Sequence, residues 1–522
     1  MMNRMLRLSI TLLLPAAAAA QQQPARSTFF VIQGTDTIAF EYVTRVATHV
    51  EGELSIKGQK TRWRYSLDTD AQAKSQRLEN AFFTSLTDTA PIQRAVFTFQ
   101  GDSAIVVLSG SSSGTQRLPT KSGAVPWVNP SPGMVEQFLV RAKAMGGTID
   151  TVPLLQVAGG QTLPVIVTWI GSDSATINLA GVEFRAAVGP GATLLGAVIA
   201  QQNVRIARVD GTQKVTVVPP DYSAPAGAPY SAEEVVVKTK EGLTLAGTLT
   251  LPKTRPTTGV PAVVMITGSG PENRDEEIGI EGYRPFRQIA DTLGRRGIAV
   301  LRLDDRGVGG SAVGPANPTS ADFANDIRAG LAYLRTRPEI DKQRLGLVGH
   351  SEGGMIAPMV AATDTTLRAI VLMAGPAYTG RKIIDYQNRY GVEHMSNVAP
   401  EKRDSVFRAA MHTLDSLAKT PGWMGYFLSY DPLITARRVR TPVLVLQGAT
   451  DMQVTAEQAD TLAAVLRASG NRNVTVRVFP QTNHLFLTDP DGNPSRYAAL
   501  PSKTVRADVL GAIADWLSIR LR

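Results

Sequence analysis

The hydrophobic pattern of this chain changes period once, and that change limits the architectures open to it. From 28 to 218, apolar and polar residues alternate, as in Ile38, Phe40 and Tyr42 and again in Trp63, Tyr65 and Leu67. Short turn signals interrupt the runs: Gly34-Thr35-Asp36, Gly101-Asp102, Gly171-Ser172-Asp173 and Asp210-Gly211. Successive side chains of a strand point to opposite faces, so period-two alternation broken by Gly/Asp turns marks antiparallel hairpins. The expectation is a β-rich antiparallel domain over 21–218, curved as a half-barrel, with a helix at 132–145. Its isolated His49 and its Asp68-Thr69-Asp70, which lacks the glycine a calcium loop needs, read as surface features.

Residues 219–230 open with PPDYSAPAGAP, which has no apolar period and reads as a linker. Beyond it, over 231–522, apolar runs alternate with helical stretches. Strands are expected at 235–239, 243–251, 262–266, 298–303, 345–349, 369–374, 443–447 and 474–479. Helices are expected at 285–296, 321–335, 353–362, 456–468 and 502–520. Apolar strands separated by helices mean a mostly parallel sheet covered on both faces. The longest excursion, 376–440, reads as an amphipathic helical cap over the carboxyl ends of the strands, where such sheets bind ligands.

Composition narrows the chemistry. The 522 residues include no cysteine, which excludes disulfides, iron–sulfur clusters, thiolate zinc sites, a catalytic thiol and a lipid-anchor cysteine. Five histidines without an HExxH pattern speak against a metal site, and no cofactor motif survives inspection. Gly307-Val308-Gly309-Gly310-Ser311-Ala312 formally fits a dinucleotide fingerprint, but Pro315 and Pro318 prevent a helix from opening there to receive a pyrophosphate. Asp304, Asp305 and Arg306 are read instead as braces of this loop. The net charge of +9 is diffuse, its densest cluster being Arg437, Arg438 and Arg440, so no nucleic-acid partner is expected. Residues 1–20 combine Arg4 and Arg7, a short apolar stretch and Ala18-Ala19-Ala20, the pattern of a secretory signal peptide. No other run is long enough to cross a bilayer, so a secreted or periplasmic protein is expected.

Gly349-His350-Ser351-Glu352-Gly353 matches GxSxG between a strand and a helix. A serine on so tight a turn needs small neighbours, and its hydroxyl stands at a helix N-terminus where developing negative charge is favoured. Serine at its free pKa needs a base, and the base needs an orienting group. Downstream lie Asp451 and then His484, each just past a strand on the same sheet edge as Ser351. His484 would take the serine proton, and Asp451 would hold the imidazole tautomer. The oxyanion donors are read as the backbone N–H groups of Glu352 and of Ser269, with Gly270 the alternative to Ser269. His350 is read as a brace of the turn, and His394 and His412 as cap or surface residues.

These segments, VMITGSGPENRDEE, VLRLDDRGVGGS, LGLVGHSEGGMIAP, VLQGATDMQV and the Asn483-His484 loop, resemble the α/β-hydrolase superfamily from 235 onward. Within it the chain is similar to secreted bacterial carboxylesterases grouped with serine-aminopeptidase (S33-type) and dienelactone-hydrolase-like proteins. The resemblance implies an α/β-hydrolase fold, the triad Ser351–Asp451–His484 and the oxyanion pair Ser269 and Glu352. Thr267-Gly268 stands where the family usually carries His-Gly, and a dienelactone hydrolase would use a cysteine that this chain lacks. The expected function is a carboxylesterase, with cap residues Trp423, Tyr426, Phe427 and Leu428 around an acyl pocket. The alternative is a serine aminopeptidase that holds a substrate amine with Glu272, Asp275, Glu276, Glu277 and Glu352. A third reading is a non-catalytic ligand-binding protein acting through the β-rich domain.

Overall fold

The computed structural model describes residues 24–522, apart from 34–35, 57–60, 85–87, 159, 180–181, 200–203, 214, 216–219, 279, 281, 313, 316, 395–398 and 420. The expected signal peptide therefore lies outside the described residues.

The alternating half folds into one 15-stranded sheet. Its first strand, Ala25–Gln33, pairs antiparallel with its last, Val204–Asp210, and hairpin neighbours extend the sheet on either side. The two edge strands, Gly114–Pro119 and Val125–Trp127, are separated only by 120–124. Such a connection spans about 22 Å at full extension, so the sheet must curl back on itself. The helix Pro132–Met145 fills the hollow, burying Met134, Val135, Phe138, Leu139 and Ala142 against Phe29, Leu54, Leu67, Val152 and Val165. Its start and stop follow from local chemistry. Ser131 accepts the Met134 N–H, Pro132 opens the first turn, and Gly146 closes the helix at φ 81°.

In Asp36–Val46 the inward residues are Ala39, Glu41 and Val43, while Ile38, Phe40 and Tyr42 form the other face. The cause is the internal helix. Glu41 accepts hydrogen bonds from Ser131 Oγ at 2.6 Å and from the Gly133 N–H at 2.7 Å, placing its carboxylate at the helix N-terminus.

The second sheet contains β1 (Tyr230–Lys238), β2 (Thr244–Pro252), β3 (Val260–Ile266), β4 (Ala299–Leu303), β5 (Ile340–His350), β6 (Ala369–Met373), β7 (Val443–Gly448) and β8 (Val474–Phe479). Their order is β1-β2-β4-β3-β5-β6-β7-β8, with β1 and β2 antiparallel and the rest parallel. Strand β1 begins at Tyr230, the last residue expected of the linker. Helices Ser320–Thr336, Glu352–Ala361 and Glu457–Ala468 build the core on one face, and Pro285–Arg295 and Ala507–Arg520 build it on the other. Four helices, Gly380–Glu393, Pro400–Leu417, Trp423–Ser429 and Pro432–Ala436, occupy the excursion between β6 and β7. Among the described residues no helix is long and apolar enough to cross a membrane.

The last helix starts five residues later than expected. The Val505 N–H donates to Gln288 Oε1 and the Arg506 N–H to the Phe486 carbonyl, so tertiary bonds hold the end of 502–506 outside the helix. The linker is also fastened down. Tyr222 lies under the Arg274 guanidinium at 4.2 Å, and Arg287 donates to the carbonyls of Asp221 and Ser223.

Candidate active site

The turn after β5 is shaped by close backbone approach. A Cβ on Gly349 would sit 2.1 Å from the Gly353 carbonyl oxygen, and one on Gly353 would sit 2.1 Å from that of Ile266. Only glycine fits either position. Between them Ser351 is held at φ 52°, ψ −117°, a conformation an L-residue adopts only under constraint. Its N–H is anchored to the Met373 carbonyl at 2.8 Å. The side chain therefore stands at the entrance of helix Glu352–Ala361, partly exposed at the carboxyl edge of the sheet.

Asp451 follows β7 and His484 follows β8, so both reach the same edge. His484 Nδ1 lies 2.8 Å from Asp451 Oδ2. The carboxylate is itself fixed: Oδ1 accepts the N–H groups of Gln453 and Val454, and Oδ2 accepts the Gln447 amide. Facing a carboxylate, Nδ1 carries the ring proton, which leaves the lone pair on Nε2. Asp451 and His484 are both buried. Ser351 and His484 do not hydrogen-bond each other in this structure; such contacts commonly tighten only with substrate bound. Of the expected residues, the structure thus joins Asp451 to His484 directly and sets Ser351 on the neighbouring loop.

The loop after β3 carries Ser269 alongside the turn. Its hydroxyl donates to Glu352 Oε2 at 2.8 Å, which ties the two expected oxyanion residues together through their side chains. Glu352 is buried and also accepts Ser320 Oγ and the Trp423 indole N–H. Burial raises its pKa above the ordinary carboxylate range, against the pull of these three donors.

The acids of the exopeptidase reading are committed to internal bonds. Asp275 pairs with buried Arg302, and Glu277 bonds Asn273 and Arg284. Glu272 and Glu276 both accept the Gly268 N–H, at 3.0 and 2.9 Å. Burial, then the charge of Glu276, pushes Glu272 well above its usual pKa. The braces expected around Asp304–Arg306 are present: Arg274 grips Asp304, Asp305 accepts Thr267 Oγ1 and the Glu272 N–H, and Arg306 grips Asp326. Burial lifts Asp305 to about 8. Phe427 and Leu428 pack the cap inward, Tyr426 stacks on Tyr430, and only Trp423 of the expected acyl-pocket residues bonds Glu352 beside the serine. Among the described residues no three His, Cys, Asp or Glu side chains cluster as a metal site would need.

Sequence reasoning did not find the roles of Glu276 and Trp423. The bonds of Glu276 to His350 and of Trp423 to Glu352 each span more than seventy positions, a separation that leaves no spacing signal.

Comparison with known proteins places this geometry in context. Residues 285–501 match the prolyl oligopeptidase family of peptidases. Esterase EstD of Thermotoga maritima is 28% identical over 313 residues, covering 57% of this chain and 69% of that protein. Dipeptidyl aminopeptidase BIII of Pseudoxanthomonas mexicana is 24% identical over 270 residues, covering 50% of this chain and 36% of that protein. A solved esterase of Pyrococcus furiosus, Pf2001, superposes with a TM-score of 0.40 at 17% identity, over 58% of this chain and 98% of its own. In its strand order and its serine turn between strand and helix the chain has an α/β-hydrolase fold, and its similarity to the prolyl oligopeptidase family and to esterase EstD supports a serine hydrolase.

Proposed function

We propose that this protein is a carboxylesterase in which Ser351, His484 and Asp451 form the catalytic triad. The observation that carries the reading is the 2.8 Å bond from His484 to Asp451 beside a serine held at φ 52°. His484 Nε2 removes the Ser351 proton as Oγ attacks the ester carbonyl. The N–H groups of Ser269 and Glu352 receive the oxyanion, and His484 returns the proton to the departing alcohol. Water, deprotonated by the same imidazole, then cleaves the acyl-enzyme and releases the acid. Asp451 keeps the ring oriented and stabilises its charge throughout.

Ester substrates are favoured over peptides because each of the acids near the serine already has an internal partner. The similarity to an aminopeptidase keeps amide cleavage as the competing reading. Residues 1–20 act as a secretion signal in this account, delivering a secreted or periplasmic enzyme. A catalytic domain spans 231–522 with its cap at 376–440, joined through 219–230 to the β-rich domain 21–218.

The deciding experiment assays p-nitrophenyl acetate, butyrate and octanoate beside aminoacyl p-nitroanilides with purified protein. Ester turnover exceeding anilide turnover by about 10²-fold or more in kcat/KM is expected. Anilide turnover of equal or greater efficiency would transfer the protein to the peptidases.

A further inference from the structure

We infer that Glu276 and His350 form a buried positioning pair that holds the oxyanion loop, the serine turn and the histidine loop in register. The inference rests on the proposed triad and assigns two residues that the triad does not use.

Glu276 is 1% exposed and sits at φ 59°, a left-handed conformation that a glutamate adopts only when its surroundings require it. One of its oxygens, Oε1, accepts two hydrogen bonds: the Gly268 N–H at 2.9 Å and His350 Nδ1 at 2.8 Å. Across the ring, His350 Nε2 lies 2.9 Å from the main-chain carbonyl oxygen of His484. Each contact falls on a different catalytic loop. Gly268 immediately precedes Ser269, His350 immediately precedes Ser351, and the carbonyl belongs to the proposed base itself. The two imidazoles are 5.0 Å apart between centroids, and Phe486 closes the other side of His350.

The chemistry of the ring explains why a carboxylate stands here. A carbonyl oxygen only accepts, so Nε2 must carry a proton. Oε1 already takes the Gly268 N–H; with Glu276 ionised it accepts from Nδ1 as well, so that Nδ1 carries a proton too. The ring is then cationic and needs an adjacent negative charge to remain so when buried. Burial opposes that charge, yet the Glu276 carboxylate and the bond to the His484 carbonyl raise the His350 pKa overall. A neutral amide in place of Glu276 removes the charge and burial returns the ring to one proton; the amide group at the Oε1 position can then donate to Nδ1 or accept the Gly268 N–H, but not both, so one contact of the set is lost.

Displacing either loop moves a reacting or stabilising atom, and a misplacement of about 1 Å can cost about 10²-fold in rate. The test measures kcat and KM for p-nitrophenyl acetate in E276Q, H350Q and the double variant. Rates are normalised to sites titrated with a fluorophosphonate. The expected result is a fall of about 10²-fold in kcat per titrated site in each single variant, with KM within about threefold of wild type. The double variant should be no slower than the slower single one, because the two residues act as one unit. Two results would overturn the pairing: kcat per titrated site within about threefold of wild type, or single losses that multiply in the double variant. Should E276Q not fold, H350Q is judged alone by its kcat and KM. S351A, assayed in parallel, separates the two levels. Activity retained in S351A overturns the triad reading, whereas its loss beside unchanged kcat in E276Q and H350Q overturns only the pair.

Discussion

The indole Nε1 of Trp423 donates to both carboxylate oxygens of Glu352, at 2.9 Å each. Glu352 follows Ser351 directly, so one side chain of the cap is fastened to the residue beside the serine turn. The same carboxylate holds Ser269 and Ser320. Trp423→Phe keeps a ring to stack on Phe427, now 5.2 Å away, but removes the N–H. A hydrogen bond to a charged group contributes about 1.5–3 kcal/mol, so a stability loss in that range is expected from urea unfolding. An unchanged midpoint and slope would show that the cap is not held by this contact.

Asp451 accepts two backbone N–H groups and the Gln447 amide besides His484. Asp451→Asn keeps the shape but presents an amide to Nδ1, which favours the wrong tautomer. The expected outcome is a loss of about 10⁴-fold in kcat on p-nitrophenyl acetate with little change in KM. A loss below about tenfold would remove Asp451 from the account.

Gly353 tests the packing of the turn. A methyl group there would lie 2.1 Å from the Ile266 carbonyl oxygen, a backbone atom that cannot move aside without shifting β3. Gly353→Ala is expected to cost about 1–3 kcal/mol or more in stability and to abolish ester turnover. Wild-type activity and melting temperature in this variant would show that the turn is looser than its geometry implies.

Glu41 makes the β-rich domain pH-sensitive. Burial lifts its pKa from 4.5 to about 7, even though Ser131, Gly133, Tyr65 and Arg45 pull the other way. The folded state therefore keeps a proton that the unfolded chain releases at lower pH. This contribution is fully present below about 4.5 and is lost as pH rises through about 7. At about 1.4 kcal/mol per pH unit, the loss amounts to about 3 kcal/mol. Unfolding of the domain at pH 5 and pH 8 should show this difference in wild type and a flatter profile in Glu41→Gln. Equal slopes in the two proteins would contradict it.

Much of the fold was legible because local signals and tertiary structure agree. Ser131-Pro132 and Gly146 bound the internal helix by capping chemistry alone. The strands that precede Ser351 and Asp451 finish in apolar stretches, so their carboxyl ends and the loops beyond them could be read directly. Face assignment in Asp36–Val46 could not, because it depends on a helix ninety residues later that draws Glu41 inward. The start of the last helix was misjudged for a similar reason, since Gln288 and Phe486 hold 502–506 from a distance. Within the site, order and loop position marked Ser351, Asp451 and His484 for the proposed triad, while Glu276 read only as an acid near the mouth, with no sign of its bond to His350. Its partners Gly268 and His350 are set by the parallel pairing of β3 with β5, where Ile266 lies beside Gly349.

The central claim is that Ser351 is the nucleophile, and kcat/KM of S351A on p-nitrophenyl acetate tests it most directly. With the variant folded as wild type by circular dichroism, a fall of about 10⁴-fold or more is predicted. A value within about tenfold of wild type would contradict the account.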